Sequence, residues 1–116
     1  FARAREVNVG VISRVPLKRG FLSGRFQAGH NFAEGDFRSK ILGPENISKF
    51  QDRLDKLREL ATEMNLSETE AAIRFCVSNP NISTVIPGIR TPEQAVQNAA
   101  FNGSLPQEMV ESINNI

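Results

Sequence analysis

The apolar positions near the start of the chain follow a period of two. Val7, Val9, Val11 and Ile12, within residues 6–15, are β-branched and close to alternating, and the run stops at Pro16. This pattern predicts a strand, and proline ends it because it has no N–H to give to a ladder. From Lys18 to Asn46 no period survives; Gly20, Gly24, Gly29, Gly35, Gly43 and Pro44 are scattered among charged and aromatic residues. A loop of that length is expected to be functional or disordered. The period then changes. Ile47, Phe50, Leu54, Leu57, Leu60, Ala61 and Met64 recur at steps of three and four, which predicts a helix of about 17 residues with Arg53, Lys56 and Glu63 on its outer face.

Ser67 with Glu70 three residues on forms an S-x-x-E capping box, and a second helix is predicted through Ala71, Ala72, Ile73, Phe75, Cys76 and Val77. Its apolar residues wrap most of the circumference, so it is expected to be well buried. Asn79, Pro80 and Asn81 read as a turn, and Ile82 to Ile86 as a short strand ended by Pro87 and Gly88. Thr91, Pro92 and Gln94 read as N-cap, proline at the first helical position and the partner of another capping box. That helix carries Ala95, Val96, Ala99 and Ala100 and stops at Asn102 and Gly103, and a last helix over residues 106–115 places Met109, Val110 and Ile113 on one side.

Strands alternating with helices imply parallel β/α units with right-handed crossovers. Two parallel strands do not form an independent sheet, because such sheets are covered on both faces and need neighbours. The expectation is therefore part of a sheet. The chain opens on Phe1 rather than Met, which adds the expectation of a preceding N-terminal part.

Composition narrows the classes. Fourteen basic and thirteen acidic residues leave a formal charge of +1, so no global field draws the chain to nucleic acid or to a membrane surface. Any anion site must be local. No apolar run approaches the roughly 20 residues that a spanning helix needs, and no signal-peptide pattern opens the chain. The single cysteine, Cys76, forbids an internal disulfide and fits a reducing, cytoplasmic setting. Its place in an apolar helical pattern makes it a core residue rather than a nucleophile. No metal-ligand cluster is expected, and His30, the only histidine, reads as a solvated loop residue.

Two places carry candidate chemistry. Residues 16–24 follow the first strand, where glycines let a backbone approach a ligand and Lys18, Arg19 and Arg25 add positive charge; the plainer reading is an ordinary turn. Residues 86–94 run from a strand end into a capped helix start, whose free amides and dipole favour an anion beside Arg90; the plainer reading is a capped helix with a surface arginine. Both lie at strand C-termini, where parallel β/α barrels place ligands and often phosphate.

The strings VNVGVISRVPLKRGFLSGRF, GDFRSK and LRELATEMNLSETEAAIRFCVSNPNISTVIPGIRTPEQAVQNAAF together resemble the C-terminal part of the aldo-keto reductases, in order and spacing, over nearly the whole chain. The resemblance implies an α/β fold in which residues 1–116 are the C-terminal portion of a single (β/α)8 TIM barrel domain, with residues 7–15 as strand seven and 83–86 as strand eight. It implies NADPH as cofactor and a small-molecule aldehyde or ketone as substrate of the full-length protein. Leu17, Arg19 and Gly20 match positions that touch the cofactor pyrophosphate and ribose. Gly88, Arg90 and Thr91 match those around the adenosine 2′-phosphate, and Gln94 and Asn98 match contacts to the phosphate and adenine. Arg90 would favour NADP over NAD, because an extra phosphate rewards a bidentate cation.

Departures matter too. Val15 stands where many members have a serine, and Lys18 and Arg19 replace small residues of some relatives. The family's aspartate, tyrosine, lysine and histidine come from earlier strands; with no tyrosine in this chain, no catalytic residue is assigned to it. The loop over residues 25–46 resembles the segment that folds across the cofactor, with Phe32, Phe37 and Arg38 as residues that would order there. Two other readings compete. One is a helix-turn-helix made of residues 47–64 and 67–79, which the near-neutral charge and buried second helix oppose. The other is a sensor or channel-associated interaction protein that keeps the cofactor barrel with little catalysis. An isolated piece would expose strand edges and apolar helix faces, so self-association or rearranged strands, and weak NADPH binding, are expected.

Overall fold

A computed structural model describes residues 1–26 and 29–116. It begins with a short helix α1 (Ala2–Glu6), followed by strand β1 (Ile12–Arg14), two 3-10 turns (Lys18–Ser23) and helix α2 (Arg38–Ile41). Helices α3 (Pro44–Glu63) and α4 (Glu68–Val77) lead to strand β2 (Thr84–Ile86) and helices α5 (Pro92–Ala100) and α6 (Gln107–Asn114).

The strands pair in parallel, Ile12 with Thr84, Ser13 with Val85 and Arg14 with Ile86. Val11 extends the contact: its N–H donates to Ser83 Oγ at 3.0 Å, and its carbonyl accepts from Ser83 N at 2.8 Å. The predicted first strand is thus shortened from both sides. Residues 2–6 are helical, Asn8 takes a left-handed φ of 56°, and the ladder starts only at Ile12. Val7 and Asn8 form the turn that closes α1, with Val9 N donating to Ala4 O at 2.8 Å, so the period-two pattern of Val7 and Val9 is not realised as a strand.

The helices follow their local signals closely. α3 begins three residues before Ile47 and ends in a Schellman motif: Leu66 N donates to Ala61 O at 2.8 Å and Asn65 N to Thr62 O at 2.9 Å, with Asn65 left-handed at φ 54°. Ser67 Oγ accepts from Glu70 N at 3.1 Å and starts α4. The reciprocal half of that capping box is absent, because the Glu70 carboxylate turns instead to Arg74 Nη1 at 3.3 Å. Burial on α4 is confined to Ala71, Ala72 and Ile73; Phe75, Cys76 and Val77 are half-buried.

The core lies among the helices. One cluster joins Leu57 and Ala61 of α3, Ala71 of α4, Leu105, and Met109 of α6. A second joins Phe21, Leu42, Ile47 and Leu54. Leu22 packs against both, so the segment after β1 is anchored by two adjacent apolar residues. The sheet is outside this core: Ile12 is 58% and Ile86 49% exposed. A radius of gyration of 15.2 Å exceeds the roughly 13 Å of a closed domain of this length. The described part is an α/β unit with two parallel strands whose apolar surface is uncovered.

Candidate functional site

Arg14 and Ile86 are the last pair of the register, so the chain leaves both strands at the same end of the sheet and the two candidate loops start side by side. In the first, Pro16 is buried and Val15 carries a φ of 57°. Lys18 N donates back to Val15 O at 2.9 Å, and Gly20 N and Leu22 N both donate to Leu17 O, at 2.9 and 3.1 Å. Three amides of this loop are therefore committed to its own turns. Arg19 is exposed and left-handed at φ 60°, and Gly20 follows at φ 95°.

Glycine at position 20 is demanded twice. Its φ lies where a side chain is strained, and a Cβ there would stand 2.8 Å from Phe26 Cε2. The close approach that the sequence assigns to a ligand is made in the structure to an aromatic ring. Leu17, half-buried, accepts the turn hydrogen bonds through its carbonyl.

The second loop runs from Ile86 into α5. Thr91 Oγ1 accepts from Gln94 N at 3.3 Å, as the N-cap pattern predicts, while Gln94 Oε1 accepts from Arg90 N at 2.8 Å, one residue earlier than the expected box. Thr91 and Gln94 thus fix the backbone of Arg90 and leave its guanidinium exposed, with no side-chain hydrogen bond or ion pair among the described residues. Gly88 needs neither a left-handed φ nor space, since nothing lies within 4 Å of a Cβ built there. Asn98, one turn beyond Gln94, is half-buried and lines a groove of about 330 Å³ between α4, β2 and α5 with Ile73, Val85 and Phe101.

Two acidic residues that the sequence reading passed over sit at this site. Glu93 accepts from its own backbone N–H and from the Thr91 hydroxyl, which hold its carboxyl below the usual range. It occupies part of the positive helix end that an external anion would use. Asp36 accepts from Arg38 N and Arg38 Nε at 2.9 Å each and pairs with Arg38 Nη2. These bonds, with the charge of Arg90 adding to them, bring its pKa down to about 2. The signals were present: acidic residues favour the first helical turn, and aspartate two residues before a bonded N–H is a turn signature.

The long loop connects the two. Arg19 lies 5.3 Å above the ring of Phe37, next to Asp36, and Arg38 lies over Phe26 and Phe32 at 5.2 and 5.6 Å. His30 is exposed and edge-on to Phe26 and Phe32, at 4.8 and 4.7 Å between ring centroids. The expectation of a structureless stretch over residues 18–46 is corrected for its described part: arginine-aromatic stacking and the Asp36–Arg38 pair give it defined contacts, and α2 and the start of α3 lie within it. Gln27 and Ala28 of that loop lie outside the described residues. Among the described residues, no group of three acidic, histidine or cysteine side chains can hold a metal ion, and no helix is long and apolar enough to cross a membrane.

The chain matches the model of the aldo/keto reductase family over residues 1–116. It is 29% identical over 96 residues to a protein of Schizosaccharomyces pombe named as an NADP(+) aldo-keto reductase, yakc, covering 81% of this chain and 28% of that protein. It is 31% identical over 112 residues to a probable voltage-gated potassium channel subunit beta of Oryza sativa, covering 93% of this chain and 34% of that protein. In structure it is similar to the glycerol dehydrogenase AKR11B4 of Gluconobacter oxydans, with a TM-score of 0.79, 25% identity, and coverage of 97% of this chain and 35% of the other. The chain spans about a third of the length of such relatives. Match, order of motifs and strand geometry agree: the chain belongs to the aldo/keto reductase family of oxidoreductases.

Proposed function

We propose that this chain supplies strands seven and eight of a (β/α)8 barrel, and with them the grip on the adenosine half of NADPH, in an oxidoreductase that reduces aldehydes or ketones. The observation that carries this reading is the common exit of two arginine-bearing loops from the C-terminal ends of paired parallel strands, where barrels of this class bind phosphate. Arg90 fits a 2′-phosphate: its backbone is fixed by Gln94, its guanidinium is uncommitted, and a helix N-terminus follows it. Arg19 and Gly20, with Leu17, would meet the pyrophosphate, Gly88 and Thr91 would flank the 2′-phosphate, and Asn98 would reach the adenine from its groove. The cofactor supplies hydride; this chain binds and orients, and the proton donor comes from elsewhere in the barrel.

The second reading is a cofactor-binding sensor or channel-associated protein with little catalysis, favoured by the similarity to a plant potassium channel beta subunit. Reduction of a simple aldehyde by the protein that carries this chain, followed at fixed NADPH, separates the two. Turnover supports the reductase; tight NADPH binding without turnover supports the sensor; neither binding nor turnover overturns both. We further propose that the protein acts in a reducing, cytoplasmic setting, and that residues 1–116 alone self-associate through their uncovered sheet.

A further inference from the structure

We propose that Asn102 is a site of spontaneous covalent modification, the asparagine in this chain that converts first to aspartate and isoaspartate. The reaction needs three things: an exposed asparagine amide, a following backbone nitrogen free to attack it, and a main chain not locked in a helix or strand. Asn102 is exposed and lies between the end of α5 at Ala100 and the start of α6 at Gln107. It is followed by Gly103, whose N–H has no hydrogen-bond partner among the described residues. Gly103 is left-handed at φ 83°, and nothing lies within 4 Å of a Cβ built on it. The absent side chain and the open surroundings leave the nitrogen unshielded.

The step balances without any co-reactant but water. The Gly103 nitrogen, giving up its proton to solvent base, attacks Asn102 Cγ; the N–Cγ bond forms, the Cγ–Nδ2 bond breaks, and ammonia leaves. Water then opens the cyclic imide at either carbonyl, giving aspartate or the β-linked isoaspartate. The β-linked product adds one methylene to the main chain just before a clamped segment. Arg74 Nε donates to Gly103 O at 3.3 Å and Arg74 Nη2 to Ser104 O at 3.0 Å. Leu105, a buried core residue, donates its N–H to Ser78 Oγ at 2.8 Å. The extra length therefore strains the seat of Leu105, whereas a new carboxylate alone does not.

The other asparagines of the same region provide internal controls. Residues 91–116 contain no Lys or Arg, so trypsin, cutting after Arg90, leaves Asn98, Asn102, Asn114 and Asn115 together on one peptide. Asn98 is inside α5, with its backbone fixed. The protein carrying this chain is incubated in mildly alkaline buffer, native and urea-unfolded, and that peptide is sequenced by mass spectrometry over time. Conversion at Asn102 is expected to run at least about tenfold faster than at Asn98 in the native protein, and within about tenfold of its unfolded rate, each tenfold being 1.36 kcal/mol of barrier. Equal rates at Asn98 and Asn102, or a native rate far below the unfolded one, would overturn the proposal. The aged protein is expected to unfold at a lower temperature than Asn102→Asp, which carries the charge without the added methylene. Equal unfolding temperatures for the isoaspartate form and Asn102→Asp would overturn the structural consequence.

Discussion

Replacing Arg90 with alanine tests its proposed contribution to the choice of cofactor. In the free protein the guanidinium is exposed and makes no hydrogen bond among the described residues, while Gln94 holds the Arg90 backbone independently of its side chain. The substitution therefore leaves fold stability within about 0.5 kcal/mol, as expected for a surface change. In the proposed cofactor complex it would remove a charged donor pair from the 2′-phosphate. Hydrogen bonds to charged groups contribute about 1.5–3 kcal/mol, and exposed ion pairs about 0–1 kcal/mol. A rim-exposed arginine lies between these limits, at about 1.4 kcal/mol, or tenfold. The Asp36 carboxylate, which feels the charge of Arg90, argues against a larger value, as does Glu93 in the first turn of the helix that follows Arg90. Steady-state kinetics of the protein carrying this chain, with NADPH and NADH as alternative donors, reads the effect. KM for NADPH is expected to rise about tenfold, that for NADH to stay nearly constant, and kcat to change little, since the contact is distant from the reacting carbon. Arg90→Lys is expected to fall between, keeping charge and losing the fork. An equal rise for both donors, or none, would refute the assignment of Arg90 to the 2′-phosphate.

The two glycines of the site should separate cleanly: Gly20→Ala is expected to destabilise by about 1–3 kcal/mol, from a left-handed φ and a ring in the way, and Gly88→Ala to be nearly neutral. Urea unfolding curves of the two variants check this, and equal midpoints would contradict it. Asp36 has a pKa lowered from 3.8 to about 2, so its pair with Arg38 stabilises the fold above its unfolded value and loses that contribution as pH falls from about 4 towards 2. Asp36→Asn should remove this part of the acid transition, seen as wild-type and variant midpoints that differ at pH 5 and converge near pH 2. Light scattering of residues 1–116 alone is expected to show dimers or larger species, given Ile12 at 58% and Val96 at 74% exposure; a monodisperse monomer at high concentration would count against it.

Local chemistry explains what was legible without coordinates. Ser67, Thr91 and the Met64–Leu66 stretch mark helix ends because caps satisfy backbone groups within a few residues, and the Leu54–Leu57–Ala61 face buries as its spacing predicts. The two loops at strand ends, with Arg90 beside a capped helix, could likewise be placed from order and motif. Distant partners decided the rest. Val7 and Val9 alternate like a strand but have no ladder, because pairing depends on neighbours that periodicity does not name. Gly20 faces the Phe26 ring, Arg19 stacks on Phe37, and Asp36, whose pairing with Arg38 is local, also feels the charge of Arg90, through segments that carry no shared period. Hydrogen bonding within one turn is written in adjacent residues; packing and charge across loops are fixed only when the chain closes on itself.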